Sequence, residues 1–141
     1  MRFMITATPP KTGSDFEPAP MSDELFASHM KYNEEMTRAG VLIAAEGLRP
    51  GGQEARLTVK NGKRVLVDGP YSESKEVLGG FFLIEAKSLD DAIAWALKCP
   101  VGLGHVVEVE IHEMTEISSL PPQYQEIIRR VAPTWSASLW R

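Results

Sequence analysis

The hydrophobic pattern changes period several times along this chain, and each change marks an element. Residues about 2–8 form a short apolar run stopped by Pro9-Pro10, which predicts a first strand. Residues about 9–21 are rich in Pro, Gly, Ser and Asp and read as a loop. The spacing then becomes helical. Leu25, His29, Tyr32, Met36 and Ala39 share one face, which Phe26 and Met30 are expected to widen. Ser22 predicts the N-cap, Asp23 and Glu24 suit the positive helix end, and Gly40 suits the position after the C-cap. His29 is therefore expected near the middle of the face that meets a sheet.

Residues 41–45 are continuously apolar and predict a buried central strand. Two strand-like runs, 55–60 and 63–68, flank Asn61-Gly62, the strongest short hairpin signal, because both turn positions need positive φ. That register pairs Leu57 with Leu66 and Thr58 with Val65 in a half-exposed ribbon. Asp68-Gly69-Pro70 ends the hairpin, and 72–78 is a polar loop or single helical turn. Residues 81–86 are a strand with both faces apolar. Ser88 predicts a second N-cap, with Asp91 three residues on, ahead of a stripe of Leu89, Ala92, Ile93, Ala96 and Leu97. Trp95 lies off that stripe, and Pro100 stops the helix.

The last strand, 106–114, alternates Val107, Val109 and Ile111 with Glu108, Glu110 and His112, so one face is core and the other polar. After Pro121-Pro122, residues about 123–131 predict a short helix. Trp135, Leu139 and Trp140 follow in a tail too short for its own core, so they need the domain or another subunit. Without the hairpin, the order is βαββαβ, the ferredoxin-like pattern of an α+β protein. Two helices with one apolar stripe each cover one face of an antiparallel sheet. The other face is then open, and a homodimer is the expected way to close it.

Composition narrows the picture. The 141 residues suit one domain over 1–116 with a C-terminal extension over 117–141. A net charge of −4 argues against nucleic acid as a partner, because phosphate binding needs a basic face. No run approaches a membrane span, and the N-terminal apolar run is too short for a signal peptide. Cys99 is the one cysteine, so no internal disulfide forms, and a cytoplasmic location is expected.

Candidate chemistry is sparse. Gly79-Gly80 precedes a strand and not a helix N-terminus, so it is no phosphate loop. With no zinc spacing, nucleophile elbow or dinucleotide fingerprint, no metal or cofactor is expected. His29 is a candidate general acid or base, or else a buried histidine bonded to backbone or to Tyr32. Asp68 is a candidate helper, or else a turn aspartate. Cys99 is a nucleophile if a base lowers its pKa, or else a packing residue. Tyr71, Phe81 and Glu110 are candidate ligand contacts, with core packing or a solvated strand face as the alternatives.

Asp68-Gly69-Pro70-Tyr71, Glu73-Ser74-Lys75-Glu76 and Leu78-Gly79-Gly80-Phe81 together closely resemble the signature of the DGPF proteins within the YCII-related family. Ala39-Gly40-Val41-Leu42 with Glu46-Gly47-Leu48 is similar to the family's second strand, and Leu89-Asp90-Asp91-Ala92 with Cys99-Pro100 to its second helix. The resemblance covers about 1–114, with Tyr71 in place of Phe. It implies a dimeric α+β barrel. It also implies an acid–base pair, a helix-one histidine matched by His29 and an aspartate before a proline. Cys99 stands at that aspartate's position, so the pair is incomplete here. The resemblance further implies a context with extracytoplasmic-function sigma factors. Two functions are therefore expected: a small-molecule-binding homodimer with His29 and Asp68 as its acid–base groups, or a non-catalytic regulatory module.

Overall fold

The computed structural model describes residues 1–9, 21–49, 53–68, 78–102 and 106–139. Strand β1 (Arg2–Thr8) leads to helix α1 (Asp23–Arg38) and strand β2 (Leu42–Gly47). The hairpin is β3 (Ala55–Lys60) and β4 (Lys63–Asp68). Strand β5 (Gly80–Glu85), helix α2 (Leu89–Ala96) and strand β6 (Glu108–Glu113) complete the pattern. A 3₁₀ turn (Ile117–Ser119) and helices α3 (Pro122–Val131) and α4 (Pro133–Leu139) follow.

Four strands form one antiparallel sheet in the order β2-β5-β1-β6. This is the ferredoxin-like order with the hairpin inserted, as the alternation of periods predicts. The hairpin is a separate two-stranded sheet. Its register is the expected one, Leu57 opposite Leu66 and Thr58 opposite Val65. Asn61 (φ 53°) and Gly62 (φ 75°) take the left-handed conformations that the two-residue turn demands.

The helix caps also follow local chemistry. Ser22 Oγ accepts from Leu25 N at 3.2 Å, and Ser88 Oγ accepts from Asp91 N at 3.1 Å. Asp91 answers with its carboxylate on Lys87 N at 3.0 Å. Phe3, Ile5 and Ile84 on one sheet face meet Tyr32 and Met36 of α1 and Ala92 and Ala96 of α2 in a single core cluster.

Three expectations need correction. Residues 41–45 supply an edge strand, not a central one, and Ile43 is 49% exposed. A run without polar positions says that no face is wet, but it carries no information on how many neighbours a strand has. On α1, Phe26 and Met30 point outward instead of widening the core face. On α2, Leu89, Ile93 and Leu97 are exposed, and the buried stripe is Ala92, Ala96 and the following Cys99. Small residues let α2 approach the sheet closely, which turns its bulkier apolar residues outward. Among the described residues no helix is long and apolar enough to cross a membrane.

The junction into β5 is built on glycine. Gly79 N donates to Ala7 O at 2.8 Å, and Gly79 O accepts from Leu48 N at 2.7 Å. A Cβ on Gly80 would lie 2.7 Å from the Glu46 carbonyl oxygen, a contact no side chain tolerates. The central strand can enter between β1 and β2 only without that atom. The extension is anchored where it begins. Arg2 N and Nε both donate to Glu116 Oε1 at 3.1 Å, and Ile117 is buried.

Candidate functional site

A half-open cavity of about 420 Å³ lies where α1 passes the turn after α2. Helix α1 contributes Ser28, Lys31, Tyr32 and Glu35, one turn apart and on one flank, as helical spacing requires. The turn contributes Lys98, Cys99, Pro100 and Val101. Pro100 stops the helix here. Cys99 N still donates to Ala96 O at 3.0 Å, and Val101 N to Cys99 O at 2.7 Å, so the turn presents its side chains rigidly.

Tyr32 ties the two walls together. Its hydroxyl donates to Trp95 O at 3.1 Å, and its ring meets Phe82 edge-on with centroids 5.2 Å apart. Lys98 pairs with Glu35 across the cavity and sits over the Trp95 ring, 4.9 Å from its centroid. Trp95, which lay off the predicted stripe, thus packs at the core margin beneath a cation. Burial raises the Tyr32 phenol above its ordinary range, with smaller contributions from Cys99 and Glu35. Burial likewise pushes the Cys99 thiol up to about 11. Both groups therefore stay protonated at neutral pH, and Cys99 is no thiolate nucleophile.

The charged rim holds two ammonium groups against one carboxylate. Lys98 is matched by Glu35, and Lys31 has no ion pair among the described residues. The Lys31 ammonium suits the rim to hydrogen-bond acceptors carrying negative charge, while the Ser28 hydroxyl donates to Glu24 O at 3.0 Å. Asn33 Oδ1, one turn beyond His29, is buried without a hydrogen-bond partner among the described residues. Among those residues no cluster of three or more His, Cys, Asp or Glu side chains is placed to hold a metal.

The residues singled out from the sequence fall in three places. His29 is half-buried on α1, next to Ser28, with partners of its own, and it is not part of the cavity lining. Asp68 is the last residue of β4, and its side chain lies outside the described residues, as does Tyr71. Phe81 and Glu110 share the sheet face turned away from α1 and α2. Each stands opposite Thr6, from either side of β1. Glu110 Oε2 lies 3.0 Å from His112 Nε2, and both side chains are over half exposed. One chain thus separates Phe81 and Glu110 from His29 by the thickness of the sheet. Sequence reasoning placed Tyr32 on the right face but did not single out Lys31 or Lys98. The signal for them was the Cys99-Pro100 stop, which fixes where α2 ends beside α1.

A family model described as the YCII-related domain matches residues 1–115. An uncharacterized protein of Rhizobium meliloti (strain 1021) is 40% identical over 73 residues, 52% of this chain. The match spans 56% of that relative's length, so just over half of each protein is compared.

Proposed function

Because this chain belongs to the YCII-related family, we propose that it is a DGPF-type, cytoplasmic homodimer that binds a small organic anion in the cavity beside α1. The observation carrying this reading is the rim: Lys98 is held by Glu35, Lys31 has no ion pair among the described residues, and the buried Cys99 thiol beside them stays neutral. A small carboxylate matches that set, because a charge-assisted hydrogen bond to an ammonium is the strongest contact the cavity offers. If the bound molecule is also transformed, His29 is the acid or base and Asp68 its helper, with Tyr71 a candidate ligand contact. Phe81 and Glu110 contact ligand only if the second subunit brings that sheet face to a site. Residues 1–116 form the family domain, and 117–141 form an extension packed on it or on the dimer partner.

The test is a thermal-shift screen with mono- and dicarboxylates. A ligand at a hundred times its Kd adds about 2.7 kcal/mol to stability. Lys31→Ala is expected to remove that gain while leaving the unliganded melt unchanged. A panel in which no carboxylate stabilises the protein rejects the reading. A His29→Ala variant that keeps full turnover on an identified ligand rejects the acid–base role alone.

A second reading rests on α3. Tyr124, Ile127 and Val131 are 53%, 43% and 70% exposed on this amphipathic helix, and none of its residues is buried. Such a stripe suits a regulatory module paired with an extracytoplasmic-function sigma factor. Deleting the residues after about 118 should then abolish capture of that factor, and unchanged capture counts against it.

A further inference from the structure

The β3–β4 hairpin carries an apolar face that its own chain leaves bare. Leu57 and Leu66 stand opposite each other, and Val59 shares their face two residues on. They are 64%, 65% and 66% exposed. A two-stranded ribbon is marginal in water without something against one face, and contiguous bare leucines mark an interaction surface. The ribbon as a whole is basic: Arg56, Lys60, Lys63 and Arg64 stand against Asp68 within 55–68, in a chain whose net charge is −4. Arg64, opposite Val59, shares the leucine face, while Arg56, Lys60 and Lys63 lie on the other face by alternation.

A complementary surface exists on the same chain. On the sheet face turned away from α1 and α2, one cross-strand row reads Glu46, Phe81, Thr6, Glu110. The next reads Ala44, Leu83, Met4, His112. Phe81, Leu83 and Met4 are half-buried at the centre, while Glu46, Glu108 and Glu110 are exposed at the two edges. An apolar centre with an acidic margin is the counterpart of an apolar ribbon with basic flanks. Because the hairpin leucines are exposed, they do not sit on their own sheet.

We propose that the hairpin is an arm that lays its Leu57–Leu66 face on the β6 side of this sheet face in a second copy. Arg64 on that face, with Lys60 and Lys63 at the turn end of the ribbon, then brings positive charge to Glu108 and Glu110 of the partner subunit. A two-fold axis makes the contact reciprocal, so each dimer has two arms. The inference rests on the homodimer reading above and adds what closes the dimer.

The test is sedimentation equilibrium and native mass spectrometry of the full chain and charge-swap variants. The arm variant Lys60→Glu/Lys63→Glu/Arg64→Glu and the sheet variant Glu108→Lys/Glu110→Lys are each expected to be monomeric. Mixed together they are expected to form a heterodimer, because the acidic arm of one meets the basic sheet of the other, and vice versa. Misfolding cannot produce that rescue. Leu57→Ser/Leu66→Ser should weaken the dimer roughly a hundredfold or more, since every substitution occurs twice. A wild type that stays monomeric at about 100 μM overturns the dimer reading and the arm together. A wild-type dimer whose arm and sheet variants associate equally tightly, with no preference for the mixed pair, overturns the arm and leaves the dimer standing.

Discussion

Cys99 offers the sharpest test of the site's chemistry. It occupies the position where the family resemblance implies an aspartate, it is 6% exposed, and burial raises its thiol from an ordinary 9.0 to about 11. At neutral pH the folded protein should hold about a hundredfold less thiolate than the unfolded chain. Labelling by an aromatic disulfide reagent should therefore be slow at pH 7.5 and should rise tenfold per pH unit up to about 11. The same rise links stability to alkali. The unfolded thiol ionises first, so the contribution is complete below 9.0 and is lost as pH climbs towards about 11. The slope is about 1.4 kcal/mol per pH unit, and the full loss is about 3 kcal/mol. Tyr32 adds a loss of the same sign that sets in as pH approaches its ordinary 10.0. Urea melts between pH 9 and 10 are therefore dominated by Cys99, and Cys99→Ala should remove most of the slope in that interval. Labelling at pH 7.5 as fast as in denaturant, or an unchanged slope in Cys99→Ala, would refute the buried-thiol argument and reopen a nucleophilic role.

Three further outcomes are expected. Gly80→Ala should cost about 1–3 kcal/mol in urea unfolding, because its methyl must push β2 off β5; a neutral result means the strands can separate freely. Tyr32→Phe should lower stability by about 1 kcal/mol, as Trp95 O keeps the Lys98 N–H and is not orphaned; calorimetry reads this directly. The Arg2 side chain, bonded to Glu116, holds that carboxyl below its ordinary 4.5, so its stabilisation is present above 4.5 and lost as pH falls. Acid titration of the melting temperature should be shallower in Glu116→Gln.

Much of this protein is determined locally. Asn61-Gly62 makes its turn because few other pairs accept two positive φ values, and Ser22 and Ser88 cap helices because their hydroxyls reach orphan amides. Alternation along β6 puts Glu108, Glu110 and His112 on one face whatever surrounds them. These features depend on residues a few positions apart, so the sequence by itself determined the element order and the ferredoxin-like pattern. Tertiary structure alone decided the rest. The apolar run of β2 became an edge, and Leu89, Ile93 and Leu97 turned outward, because neighbours far along the chain chose which side of each element to cover. The same packing set Tyr32 and Cys99 on one cavity and raised both their pKa values. It also set Phe81 on the same side of the sheet as Glu110, away from His29. A side chain's pKa and its companions are properties of the space around it, and that space is assembled from residues the local pattern never compares.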